Sequence, residues 1–313
     1  MIYSEQAPID YITFMNIGGR FVAGTEVYGE NSYYPLPYVM VFALYSLLPR
    51  TISIILWFLA PVLLALIITN WDPLILLFAP VFGHFVGGQS AIFGLLGIWG
   101  YRRFQDPDNA LGGVFLAITL LKPQLGIVPV GYAIYLWVKE FLRDRRIPIQ
   151  AWVWATGTIA LYLPSFIIMP DWPVKWLSFP RPLSDRALSG LIPRSILFLF
   201  PDNRIAYWST WVVLALASFY LVWAVTRRRI SLDTSVLWGF VVSPLAHDYD
   251  LIQVIPGLDT HRRRTIAALV SLPGWIVILF YYSNDTAWFL FALIAPCLLV
   301  YNLYEIYFSN LPK

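Results

Sequence analysis

The sequence predicts an all-α, polytopic transmembrane helical bundle, and three observations carry that prediction. The 313 residues are 59% hydrophobic and only 12% charged, about half the charge of an ordinary soluble domain. Apolar segments of nearly membrane-spanning length recur from Tyr34 to the C-terminus, and that surplus of apolar surface calls for a lipid solvent. The segments are continuous instead of alternating with a period of two, which argues against a closed barrel.

The elements follow in order within one integral membrane domain, residues 1–313. Residues 1–33 are polar and contain glycine, so they read as a first external loop or surface helix. They lack the basic start and apolar core of a cleavable signal peptide. The N-terminal helices, within 34–169, are expected at Pro35–Leu48, Ile52–Thr69, Leu74–Val86, Gln89–Tyr101, Ala110–Leu121, Leu125–Leu142 and Ala151–Met169. Residues 170–190 mix Trp, Pro and charge, and read as an external loop or an interfacial helix. The C-terminal helices, within 191–313, are expected at Ile205–Thr226, Ser235–Leu245, Leu251–Leu258, Ile266–Tyr282 and Ala287–Phe308. Several of these are shorter than the ~20 residues of a full crossing, so some must be broken, tilted or re-entrant. Pro61, Pro80, Pro129 and Pro244 are expected to kink or end helices. Cys297 is the single cysteine, so no internal disulfide forms.

Net charge is +3, and it sits in loops. Arg102 and Arg103, the Lys139–Arg146 group, Arg227–Arg229 and Arg262–Arg264 mark one face, which the positive-inside rule makes cytoplasmic. Gln89, Lys122–Gln124, 170–190 and His247–Asp250 then fall on the opposite face. Upstream of Gln89 the alternation is open: three full crossings put the N-terminal loop inside, whereas a re-entrant Leu74–Val86 puts it outside. The basic residues read as a topology signal and not as a nucleic-acid surface.

Ionisable groups in apolar sequence are candidate functional residues. Lys122 interrupts "LAITLLKPQLGIVPV", with Gln124 beside it. An ammonium there suits an anion such as a phosphate, the ordinary alternative being a lysine that snorkels at a helix end. "VVSPLAHDYDLIQVIP" is the densest polar cluster: Ser243–Pro244 breaks a helix, and His247, Asp248, Tyr249 and Asp250 follow. Gln89 opens an apolar helix after two glycines. Gly94, Gly97 and Gly100 read as close helix packing, and His84 as a satisfied buried histidine. Arg194 serves equally as an anion ligand or an interfacial anchor. No carboxylate cluster calls for a metal, and no cofactor is expected, although a divalent ion is compatible with the chemistry considered below.

These pieces occur in a particular order: Asp10, then "GTEVYG", "YYPLP", "GGQS", "LLKPQL", "LSGLIPR" and "SPLAHDY". The set resembles glycosyltransferase family 87, polyprenol-phosphate-mannose-dependent mannosyltransferases of the GT-C fold. The resemblance implies an inverting membrane transferase moving a hexose, mannose by analogy, from a polyprenyl-phosphate donor to a glycolipid or glycan. It implies the plasma membrane and a non-cytoplasmic active site. By the same resemblance Asp10 is the general base, Lys122 and His247 hold the donor phosphate, and Gln89, Ser189 and Arg194 line the same cavity; Arg194 is also expected as a phosphate ligand, and Gln124, Asp248 and Tyr249 as further cavity-lining residues. The family has a transmembrane helix before its aspartate, so a missing N-terminal span is expected here. An Asn-Gln pair usual before the serine is Ala187–Leu188 in this chain. The rival readings are a transporter or flippase of a lipid-linked anion, which needs no base at Asp10, and an inactive family member.

Overall fold

A computed structural model describes residues 9–28, 34–178, 190–226, 229–281 and 287–309. All regular structure among them is helical. The α-helices are α1 (Ile9–Val22), α2 (Leu36–Ser46), α3 (Arg50–Ile68), α4 (Ala79–Gly87), α5 (Ile92–Arg103), α6 (Ala110–Thr119), α7 (Pro123–Asp144) and α8 (Ile149–Ile168). They continue with α9 (Trp172–Ser178), α10 (Leu191–Leu199), α11 (Arg204–Val225), α12 (Leu232–Val242), α13 (His261–Val270), α14 (Leu272–Phe280) and α15 (Ile294–Ser309). Three 3₁₀ segments, Pro73–Leu77, Asp248–Gly257 and Ala287–Leu293, join them.

Helices α3, α7, α8 and α11, and the segment Phe289–Phe308, are each long and apolar enough to cross a bilayer, at 1.5 Å per residue over a core of about 30 Å. The pair α13 and α14, bent by 44°, makes a sixth candidate. The chain is therefore an integral membrane protein. Most apolar side chains of α8 and α11 face outward, as lipid-facing helices require.

Ion pairs gather one end of the bundle. Asp72 accepts from Arg264 Nε at 2.7 Å and lies 2.9 Å from His261 Nδ1. Arg102 bridges Asp233 at 3.2 Å and Asp259 at 3.0 Å, and Arg263 reaches Glu305 at 2.8 Å. Arg146 pairs with Asp108. Three of the four basic loops thus share an end, as the sequence predicts; residues 227–228 of the fourth lie outside the described residues.

Helix α3 runs from Ser53 and Trp57, which bond to Tyr11 and Gly88, to the loop carrying Asp72 at the opposite end. The 3₁₀ segment Pro73–Leu77 and α4 then return to Gly88, so the expected Leu74–Val86 is two short helical pieces. The expected span Pro35–Leu48 is helical over only part of its length. Only Leu36–Ser46 is helical, and Tyr38 and Phe42 pack with Tyr11, Phe14 and Trp57 in an aromatic core that binds α1 and α2 to α3. The expected span Leu251–Leu258 is likewise a 3₁₀ segment. Pro61 and Pro129 lie inside continuous helices. Pro80 falls in the first turn of α4, where its missing N–H is no loss.

Candidate active site

The site is assembled at the end opposite the ion-pair network, where three chain breaks meet the start of α1. Lys122 is the N-cap of α7, at the junction with α6. Its Nζ lies 2.6 Å from Asp250 Oδ1, and the two side chains are 5% and 0% exposed. Asp250 uses its other oxygen to accept the His247 backbone N–H at 3.0 Å. The Lys122 ammonium also sits 5.0 Å from the Tyr249 ring centroid, a cation–π distance. Tyr249 in turn stacks parallel to His247, 5.0 Å between centroids. The fold thus joins Lys122, His247, Tyr249 and Asp250 across a sequence separation of more than a hundred residues. Asp248 is buried beside Gly83 of α4; a Cβ added there would lie 3.3 Å from its Oδ2.

The second half comes from α1 and the α4–α5 break. Asp10 Oδ2 accepts a hydrogen bond from Gln89 Nε2. Two aromatic donors pin the backbone around Gln89: Trp57 Nε1 to the Gly88 carbonyl at 2.7 Å, and the Tyr38 hydroxyl to the Ser90 carbonyl. Gly88 takes φ of +62°, a left-handed C-cap that suits glycine. Burial pushes the Asp10 carboxyl above its ordinary range, while the Gln89 amide and the Lys122 ammonium oppose that shift. A carboxyl raised in this way is a better proton acceptor than a free one.

The remaining expected residues are distributed differently. Gln124, in the first turn of α7, lines a cavity of about 760 Å³ between α7, α11 and α12. That groove runs past Val128, Gly131 and Tyr135 on α7 and Trp211 and Phe219 on α11, and reaches Ser243 and Pro244. Arg194 lies on α10, half-buried. Its helix is anchored nearby, since a Cβ on Gly190 would meet the Ser243 carbonyl oxygen at 2.4 Å. Ser189 lies outside the described residues.

Three features differ from the sequence reading. Lys122 already has a carboxylate partner in Asp250. The rule that intramembrane charges pair with one another would have pointed there. His84 is buried but not satisfied, because its Nε2 has no hydrogen-bond partner. Tyr38 and Trp57, which set the Gln89 backbone, carried no signal beyond aromatic composition. Among the described residues, no group of three or more His, Cys, Asp or Glu is placed to hold a metal ion. No family model matches the chain, and neither curated proteins nor solved structures give a match.

Proposed function

We propose that the chain is a GT-C-type membrane glycosyltransferase that moves a hexose, mannose on the family resemblance, from a polyprenyl-phosphate donor to a glycolipid or glycan. The observation that carries this reading is the groove between α7, α11 and α12. It is lined chiefly by apolar and aromatic side chains, and its polar end, Gln124 and Ser243, lies within four residues of Lys122 and His247. From Gln124 to Tyr135 it follows α7 for about 16 Å, room for several isoprene units. A lipid-linked substrate needs this combination: an apolar channel for the chain and fixed donors at its mouth for the phosphate.

In this reading Asp10 takes the proton of the acceptor hydroxyl as its oxygen attacks the anomeric carbon. The bond from that carbon to the phosphate oxygen breaks, and the electron pair leaves with the phosphate. Lys122 retains N–H donors beyond the one given to Asp250, and with His247 it stabilises the developing charge. The active site faces the non-cytoplasmic side in this scheme, because the ion-paired end carries the arginine loops.

Gly131→Leu tests the groove. Gly131 lines it, and an added Cβ there meets nothing within 4 Å. The variant is expected to fold and to use a long-chain polyprenyl-phosphate hexose about tenfold less well, since excluding two buried methylene groups already costs that much. A short-chain donor should be used equally by both proteins. Equal use of the long-chain donor would remove the groove from the reading.

A further inference from the structure

Three of the buried polar side-chain atoms that lack a hydrogen-bond partner fall within one short stretch: His84 Nε2, Gln89 Oε1 and Ser90 Oγ. The residues are 3%, 3% and 0% exposed. Native structures rarely leave buried polar atoms unpaired, and each such group calls for an explanation, a functional role among them. Gln89 is the most informative of the three. Its Nε2 donates to Asp10 Oδ2, which fixes the orientation of the amide. The reverse orientation would set two acceptors against each other. The unpaired atom is therefore the carbonyl oxygen, and the pinned backbone at Gly88 and Ser90 holds it in place. Among the described residues, Asp10 Oδ1 has no hydrogen-bond partner beside the Gln89 bond to Oδ2.

A carboxylate oxygen and an amide oxygen, both unoccupied and joined through one hydrogen bond, complement two hydroxyl donors on neighbouring carbons. We infer that Asp10 and Gln89 form a clamp for a vicinal diol, and that the acceptor is a polyol. One hydroxyl passes its proton to Asp10 Oδ1 as its oxygen bonds to the anomeric carbon and the sugar–phosphate bond breaks. Its neighbour donates to Gln89 Oε1 and sets which position reacts. The identity of the reacting hydroxyl rests on the transferase reading; the clamp itself does not. The pairing selects a sugar over an isolated alcohol such as a serine or threonine side chain, which would leave Gln89 Oε1 unpaired. Gln89 is here a specificity-determining residue.

The test is binding without donor, using the full chain in lipid nanodiscs. The probes are n-octyl α-D-mannopyranoside and its 2-, 3- and 4-deoxy analogues, with affinity measured by titration calorimetry. The parent should bind, and at least one deoxy analogue should bind about tenfold more weakly, the usual effect of leaving a buried acceptor unpaired. In Gln89→Met the parent should weaken by a similar factor and the discrimination should vanish. Equal affinity for all four probes, no binding of any, or discrimination that survives in Gln89→Met would overturn the clamp. The comparison on the wild-type protein needs no variant to fold. Sugar transfer is measured in parallel. Discrimination without transfer leaves the clamp standing and removes the transferase reading, whereas transfer without discrimination does the reverse.

Discussion

Replacing Asp250 with alanine should destabilise the protein by about 3–5 kcal/mol, because it leaves a buried ammonium without its counter-charge. The separation of 2.6 Å gives an attraction of about 6 kcal/mol at an effective dielectric of 20, and desolvation of both groups offsets part of it. Asp250 also holds the His247 N–H at 3.0 Å, so its loss disturbs two elements at once. Lys122→Met should cost a comparable amount. The double variant Lys122→Met, Asp250→Leu should recover most of the stability, since a well-packed apolar pair often matches a buried ion pair. Reversible unfolding in mild detergent would provide the four free energies of the cycle, and transfer activity would be read alongside. All three variants should lose donor use, so stability and activity should separate in the double variant. Single substitutions costing under about 1 kcal/mol, the range of an exposed pair, would refute the buried geometry.

Other positions provide independent checks. In Gly100→Ala the new Cβ would fall 2.0 Å from the Phe115 ring, and melting should show a loss of about 1–3 kcal/mol from overpacking. Gly131→Ala on α7 meets no atom and should gain up to about 1 kcal/mol from helix propensity. Asp72 lies between α3 and the 3₁₀ segment Pro73–Leu77. The Leu74 amide, the Arg264 guanidinium and His261 hold its carboxyl at about 2 against the opposing effect of burial. Because the folded value lies below the unfolded one, near 3.9, this stabilisation is fully present above about pH 4 and fades as pH falls toward 2. Acid unfolding curves should therefore be steeper in that window for the wild type than for Asp72→Asn; parallel curves would remove Asp72 from the account.

The helical class and most of the long segments were legible because hydropathy and length act locally. Ile52–Thr69 corresponds to α3, Leu125–Leu142 to α7 and Ile205–Thr226 to α11 within a few residues. The glycines of α5 also read correctly: Gly97 and Gly100 lie against Thr119 and Phe115 of α6. Hydropathy does not show which apolar runs pack inside the protein. Pro35–Leu48 looks like its neighbours in composition, but Tyr38 and Phe42 belong to the aromatic core over α1. Lys122 and the His247 cluster stood out as polar atoms in apolar sequence, yet their pairing through Asp250 is a tertiary fact with no local trace. The groove was invisible for the same reason, since Gln124, Trp211 and Ser243 converge only when three helices pack. The Asp10–Gln89 bond depends on a backbone set by Trp57 and Tyr38, which no spacing rule connects.

The central claim is tested most directly by sugar transfer. Purified protein in lipid would be given labelled polyprenyl-phosphate mannose and a membrane glycolipid extract, and the wild type compared with Asp10→Asn at matched folding. The account predicts labelled glycolipid from the wild type and loss of about a hundredfold or more in the variant, the low end of what a positioned base contributes. Equal transfer by both would take Asp10 out of the chemistry, and no transfer by the wild type from any lipid-linked hexose would contradict the transferase itself.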